Sequence, residues 1–181
     1  VTSDEVCVLF DDLKKQGVIR ASGASTYPGG CTGEIIGSHR WDVVQLVFNL
    51  LDRREAASLA AAAAAGIGIV VRSVLCKGVL TERGRDLHPA LQRVAVLREA
   101  CMAAAPAGMS LSEFAVRYAM SQPGVSSVLI GIDHPDYLAQ ALAMAHAGTL
   151  SEHEYRAADA LGYAHPEELD LREWAERGWL T

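Results

Sequence analysis

The chain has 181 residues, of which 50% are hydrophobic and 21% are charged, a composition that excludes a disordered segment and allows one domain with a buried core. Its formal net charge is −6 and no dense Lys/Arg patch occurs, so we expect no nucleic-acid or acidic-lipid partner. The four cysteines are scattered without a C-x-x-C pair, which favours reduced thiols and a cytoplasmic location over a disulfide framework.

The first half of the chain alternates apolar runs with polar turns. A capping-box pattern over Thr2–Glu5 predicts a helix that ends at Gly17. Apolar runs predict strands at Val18–Ser22 and Val43–Phe48, and the Gly- and Thr-rich segment Ser25–Gly33 between them predicts a loop. A helix over 53–65 and a strand over 67–73 follow. Lys14, Lys15, Arg53 and Arg54 are expected to be charges on helix surfaces.

The second half contains one further strand among several helices. The predicted elements are helices over 91–104 and 136–147, helices that begin at the caps Ser110 and Ser151, and a strand over 126–130. We treat residues 1–181 as a single domain because no low-complexity linker divides them. Residues 166–181 form a tail in which Trp174 and Trp179 are expected to cover an apolar patch.

The strands are apolar along their whole length and are separated by helices. This pattern indicates an α/β fold with a parallel sheet that is covered on both faces. A doubly wound open sheet and a barrel of βα units both satisfy it. Because closure of a barrel needs about eight strands, the pattern alone favours a small open sheet. No apolar run is long enough to span a membrane, so no membrane partner is expected.

Parallel α/β proteins bind ligands at the carboxyl ends of their strands. The residues expected there are hydroxyls, amides, glycines and a few charges, which hold a polar cofactor by hydrogen bonds and form no nucleophile–base pair. After the last strand, Pro135 begins a helix whose N-terminus suits an anion. The sequence contains no G-x-S-x-G, H-E-x-x-H, G-x-x-x-x-G-K-[ST] or G-x-G-x-x-G motif. Hydrolase and P-loop functions therefore lose support, and no metal is implied.

Five segments together resemble the second half of an aldo-keto reductase, in order and in spacing. They are Leu13–Ser25 with its G-x-S ending, Val44–Arg53, Gly66–Thr81, Ser110–Ala115 and Val128–Gly131. Within that family, the strand over 126–132 and the tail over 169–180 are most similar to bacterial aldose or L-galactose dehydrogenase-like members. The resemblance covers nearly the whole chain.

The resemblance implies a fold, an activity and an incomplete chain. Aldo-keto reductases are TIM (β/α)₈ barrels that transfer hydride between NAD(P) and an aldehyde, a ketone or an aldose. Their catalytic Asp, Tyr, Lys and His lie on the first four strands, and this chain begins with Val1 in what resembles the helix after the fourth. We therefore expect a fragment, the C-terminal half with strands 5–8, that has no catalytic residue. Its expected partners are the missing N-terminal half-barrel or a second copy bound through the exposed barrel edges.

Ten residues match cofactor-binding positions of the family. The resemblance places Ser25 and Gln45 at the nicotinamide carboxamide and Arg72 where many members carry a stacking aromatic. The remaining positions are the pyrophosphate loop, with Ser73, Leu75 and Gly78, and the adenosine end, with Gly131, Asp133, Tyr137 and Gln140.

Asp133 bears on the choice between NAD and NADP. NADP-selective members often carry Lys or Arg near this position, whereas a carboxylate repels the 2′-phosphate and accepts a hydrogen bond from a free ribose hydroxyl. The hypothesis is that the intact enzyme prefers NAD or uses both cofactors.

Other interpretations of the chain and of its residues are open. The chain also fits a non-catalytic nucleotide-binding or regulatory subunit, or a complete small α/β protein unrelated to hydride transfer. Gln45 also suits a satisfied core amide, Arg72 an ion-pairing residue, and Asp133 a helix N-cap. Cys76 and Cys101 are expected to be inert small residues.

Overall fold

The computed structural model describes residues 3–162 and 168–179. Four strands form one parallel sheet: β1 (Gly23–Ser25), β2 (Val43–Val47), β3 (Gly68–Arg72) and β4 (Val125–Val128). The helices are α1 (Asp4–Lys15), α2 (Thr32–Gly37), α3 (Ala56–Ala64), α4 (Gln92–Ala104), α5 (Leu111–Met120), α6 (Pro135–Ala147), α7 (Glu152–Asp159) and α8 (Leu171–Glu176). Short 3₁₀ turns follow β3 at Cys76–Gly78, Glu82–Arg85 and Pro89–Leu91.

The strands lie in the sheet in the same order as in the chain, β1-β2-β3-β4, and all pairs are parallel. Crossovers between parallel strands are almost always right-handed. When each strand is added on the same side of the previous one, right-handed crossovers place the connecting helices on one face. In a doubly wound sheet the order in which strands are added reverses at one point, so the helices lie on both faces. The observed order therefore favours a singly wound, barrel-type sheet.

The two faces of the sheet differ in burial. On one face Val44, Leu46, Ile69 and Val71 have no exposed surface and lie under the helices. The side chains that alternate with them, such as Gln45, Val70 and Arg72, are only half-buried, and Ser25 and Ser127 are exposed. Among the described residues this second face is half-buried or exposed except at Val47, so the expectation that the strands are covered on both faces is wrong.

The first strand and the loop after it differ from their predicted positions. The run Val18–Ser22 is not a strand: Val18 is 66% exposed and its N–H donates to the Leu13 carbonyl, which closes α1. The observed β1 begins only at Gly23, after Ser22 is fixed by hydrogen bonds to the Asp42 carboxylate. These bonds, the backbone N–H first, lower the pKa of Asp42. The predicted loop over 25–33 also ends early, since α2 starts at Thr32 and buries Ile35 and Ile36.

Two of the three predicted N-caps, Ser110 and Ser151, are confirmed. The side chains of Ser110, Ser151 and Ser3 each accept the N–H three residues ahead, and Ser151 with Glu154 forms a complete capping box. Ser3 stands where Thr2 was predicted to cap α1, and Thr2 lies outside the described residues.

Arg53 and Arg54 are not helix-surface charges, contrary to expectation. Both precede α3. The Arg53 guanidinium donates to the Ala158 and Asp159 carbonyls at the end of α7, and Arg54 donates to the Asp52 carboxylate. Free carbonyls at a helix end need such donors, so Arg53 joins the end of α7 to the segment that follows β2.

The tail packs on the body of the domain, as predicted for Trp174. Its indole is buried, and its Nε1–H donates to the Glu168 carbonyl at 3.0 Å. Trp179 stacks on the His88 ring at a centroid distance of 5.8 Å. Residues 166, 167, 180 and 181 of the predicted tail lie outside the described residues.

Candidate functional site

A cleft of about 600 Å³ opens between the chain after β3 and the loop after β4, where parallel sheets bind ligands. Seven of the ten residues predicted to bind a cofactor line it: Ser73, Leu75, Gly78, Gly131, Asp133, Tyr137 and Gln140. The volume is in the usual range for ligand sites. The cleft brings together two segments that are about 60 positions apart in the sequence.

The wall after β3 is a tightly coiled loop. Ser73, Cys76, Lys77 and Gly78 all have positive φ angles, of 57°, 49°, 51° and 94°. Two hydrogen bonds close the coil, from the Cys76 N–H to the Ser73 carbonyl and from the Gly78 N–H to the Leu75 carbonyl, each at 2.9 Å. The Asn49 side chain fixes the start of this loop by donating to the Ser73 carbonyl at 3.1 Å. The loop is thus attached to the end of β2 as well as to β3.

A polar pair lies on the uncovered face of the sheet beside this cleft. Ser25 and Gln45 are register partners on β1 and β2, and the Ser25 hydroxyl donates to the Gln45 Oε1 at 3.1 Å. Within the described part of the chain this arrangement leaves the Gln45 amide N–H groups able to donate to a ligand. The two residues predicted to share one amide of the cofactor are therefore adjacent, outside the lining of the larger cleft.

Arg72 lies next to this pair but is held to one side. Gln45 pairs with Val70, and Arg72 follows two residues later on the same face. Its guanidinium donates to the Thr26 carbonyl at 2.9 Å and lies 4.4 Å from the centre of the Tyr27 ring. No carboxylate among the described residues pairs with it, which does not support the interpretation as an ion-pairing residue.

An ion pair joins the two walls of the cleft. The Arg83 guanidinium lies 3.3 Å from the Asp133 carboxylate and 5.9 Å from the centre of the Tyr137 ring. Contacts with Tyr137 and then with Asp133 raise the pKa of Arg83. Asp133 is not a helix cap, because His134 caps α6 by accepting the Asp136 N–H. Sequence reasoning missed Arg83, since nothing in its local pattern sets it apart.

A buried arginine holds the segment that follows the coiled loop. The side chain of Arg98 on α4 is 1% exposed, and its Nε and Nη2 donate to the carbonyls of Val79 and Thr81, each at 2.9 Å. A guanidinium is suited to hold two acceptors at once because its N–H groups have a fixed planar geometry. Arg98 thereby fixes the segment that leads from Gly78 to Arg83.

The cysteines near the site are unreactive, as predicted. Burial raises the pKa of Cys76 to about 12 and the pKa of Cys101 to about 11, so both thiols remain protonated at neutral pH. Within residues 3–162 and 168–179 no group of three or more His, Cys, Asp or Glu side chains is placed to hold a metal ion. In the same part of the chain no helix has both the length and the apolar character needed to cross a membrane.

The sequence matches a known protein family over most of its length. A profile described as "Aldo/keto reductase family" matches residues 1–162. The "Uncharacterized oxidoreductase YqkF" of Bacillus subtilis (strain 168) is 29% identical over 165 residues, which cover 85% of this chain and 54% of that protein. This chain therefore spans about half the length of the relative that it matches.

Solved structures show the same fold. The aldo-keto reductase AKR11C1 from Bacillus halodurans, in its apo form, aligns with a TM-score of 0.77 at 24% identity, over 89% of this chain and 57% of that one. The glycerol dehydrogenase AKR11B4 from Gluconobacter oxydans aligns with a TM-score of 0.67 at 21% identity, over 88% and 55% of the two chains. At these identities the likeness concerns the fold.

Proposed function

The chain belongs to the aldo/keto reductase family, and we propose that it forms the cofactor-binding half of an NAD(P)-dependent oxidoreductase. The complete enzyme would transfer hydride between the nicotinamide and a small aldehyde, ketone or aldose. The observation that carries the proposal is the cleft at the strand ends, which seven of the ten residues predicted from the resemblance line.

The sheet supports the further proposal that these are strands 5–8 of a TIM barrel. Its order is that of a singly wound sheet, one face of the described sheet is mostly half-buried or exposed, and the chain spans 57% of the length of a structural relative. A second half-barrel would cover the open face and pair with the free edges of β1 and β4. That half, a separate segment or a second copy, would have to supply the proton donor for the reaction.

Each group of residues has a distinct role in the proposed complex. The Ser25–Gln45 pair would bind the carboxamide and thereby orient the nicotinamide, which supplies the hydride. Backbone N–H groups of the 73–78 loop would hold the pyrophosphate, and the Tyr137 ring would pack against the adenine. Gly131, Asp133 and Gln140 would surround the adenosine, with Arg83 closing the cleft over it.

The Arg83–Asp133 pair refines the expectation on cofactor choice. Asp133 favours a free ribose hydroxyl, but Arg83 offsets its charge and is itself able to bind a phosphate. We therefore propose that the protein accepts both cofactors, with Asp133 limiting its affinity for NADP. Both side chains are about two-thirds exposed, so solvent weakens each effect.

Substitution Asp133→Arg should raise the affinity for NADPH relative to NADH about tenfold, or about 1.4 kcal/mol. The measurement is a fluorescence titration of the purified protein with each reduced cofactor. Asp136→Arg is the matched control, because it makes the same charge change three residues away on a side chain that does not line the cleft. An unchanged ratio of dissociation constants in Asp133→Arg would rule out a role for Asp133 in selectivity.

A further inference from the structure

A second, smaller cavity of about 150 Å³ lies beside the cofactor cleft, between the strand ends and the start of α8. Ser73 and Lys77 line both cavities. The smaller one is rich in charge, with four basic side chains and two carboxylates: Arg54, Arg72, Lys77, Arg172, Asp52 and Asp170. Its ligand preference depends on which of these charges are already paired.

Both carboxylates are engaged. Asp52 is almost fully buried and binds the Arg54 guanidinium through both oxygens, at 2.9 and 2.6 Å. Asp170 accepts the backbone N–H groups of Arg172 and Glu173 at the start of α8 and lies 3.6 Å from the Arg172 guanidinium. Neither carboxylate contacts the other two cations of the cavity.

Arg72 and Lys77 have only neutral partners among the described residues. Arg72 donates to the Thr26 carbonyl and more weakly, at 3.5 Å, to the Ser73 hydroxyl. Lys77 donates to the Leu171 carbonyl at 3.1 Å. A guanidinium has five N–H donors and an ammonium has three, so both groups have donors left for a ligand. The cavity consequently has an excess of positive charge.

The Tyr27 ring contacts two of the cations. The guanidinium carbons of Arg72 and Arg172 lie 4.4 and 4.3 Å from the ring centre. Attraction between each cation and the ring opposes the repulsion between the two like charges. An anion bound next to them would lower that repulsion further. Both cations therefore line the cavity with their side chains already ordered against one ring.

We propose that this cavity binds an anionic group, a carboxylate or a phosphate, of the carbonyl substrate. The inference rests on the proposed function, because only that function places the nicotinamide beside Gln45, with Arg72 at the next position along the same face. The cavity has room for one small group. The substrate class would then be a short oxo acid or a phosphorylated sugar, and Arg72 and Lys77 would determine specificity by fixing the end remote from the reacting carbonyl.

Calorimetric titration of the purified protein with inorganic phosphate and with acetate tests the proposal at low chloride concentration. We expect binding of at least one anion, weakened about tenfold or more in Arg72→Gln and in Arg172→Gln and partly kept in Arg72→Lys. Tighter binding of phosphate would indicate a phosphorylated substrate, and equal or tighter binding of acetate an oxo acid. Arg156→Gln, on the exposed side of α7, is the neutral control. Arg172 is largely exposed, so its substitution should not disturb folding.

The contrary outcomes are distinct. No binding of either anion, unchanged binding in both Arg72→Gln and Arg172→Gln, or a loss seen only in Arg83→Gln would overturn the proposal, the last because Arg83 lines only the cofactor cleft. A parallel titration with NADH distinguishes failure of the anion site from failure of the proposed cofactor-binding function. Binding of NADH without either anion would remove the anion site and leave the proposed function. Anion binding without NADH would leave an anion site but contradict the proposed function, and with it the assignment of the anion to a carbonyl substrate.

Discussion

Replacing Gly84 by alanine is expected to distort the loop that encloses the cofactor cleft and to weaken NADH binding more than tenfold. A Cβ atom at this position would lie 2.0 Å from the Val79 carbonyl oxygen and 2.7 Å from its carbon. Both are backbone atoms that no side-chain rotation can move away. Overpacking of this kind costs about 1–3 kcal/mol or more, which corresponds to a fall in Tm of about 2–12 °C for a domain of this size.

The clash at Gly84 also affects the hydrogen bond by which Arg98 holds the loop. The carbonyl that the new methyl group would displace is the acceptor for Arg98, so the substitution works against that hydrogen bond as well. Gly33→Ala is the matched control, because a Cβ there meets nothing within 4 Å and alanine is favoured in a helix by about 0.5–1 kcal/mol. Melting curves and NADH titrations of both variants provide the measurement. Wild-type affinity in Gly84→Ala would show that the 79–84 segment does not shape the cleft.

Replacing Arg98 by methionine should have the second large effect. It would leave the buried Val79 carbonyl and the partly buried Thr81 carbonyl without their donor, at about 1–3 kcal/mol for a fully buried acceptor and less for a partly buried one. A total stability of about 5–15 kcal/mol makes such a loss easy to detect by urea unfolding. Arg98 does not line the cofactor cleft. Its substitution would therefore lower the affinity for NADH only by displacing the loop, which would move Gly78 and Arg83 in the wall of the cleft.

Two further variants distinguish positioning by Arg98 from a general need for charge. Arg98→Lys keeps the cation but cannot hold two carbonyls in the same geometry, so we expect it to rescue stability only in part and NADH affinity little. Arg93→Met makes the same change as Arg98→Met on the exposed side of α4 and should stay within about 0.5 kcal/mol of the wild type. Equal unfolding free energies for Arg98→Met and Arg93→Met would contradict the supporting role.

The central strands were predictable because local and global signals agree there. Val44, Leu46, Ile69 and Val71 belong to apolar runs bounded by turn residues and are fully buried, so β2 and β3 lie within about a residue of their predicted ends. Val18 belongs to a similar apolar run but is exposed, because its backbone closes a helix. Periodicity cannot separate a buried strand from such a connection, since long-range pairing decides between them.

The candidate site was predictable only in part. Residues with a recognisable neighbourhood, such as Ser25 in G-A-S or Gly131 after an apolar strand, lie at or shortly after the ends of strands, as the sequence predicts. Arg83 and Arg98 stand among ordinary helix or turn charges, and only the folded chain shows that one bridges the cleft and the other supports its wall. The same holds for Tyr27, whose role depends on two arginines 45 and 145 positions further along the chain.

Hydrogen–deuterium exchange of the purified protein with and without saturating NADH tests the cofactor site most directly. A cofactor in the cleft should slow amide exchange over residues 73–83 and 129–140, the two segments that line it, and leave the exchange of α7 unchanged. Protection confined to other parts of the chain, or none in these two segments under conditions where NADH binds, would contradict the assignment of this cleft.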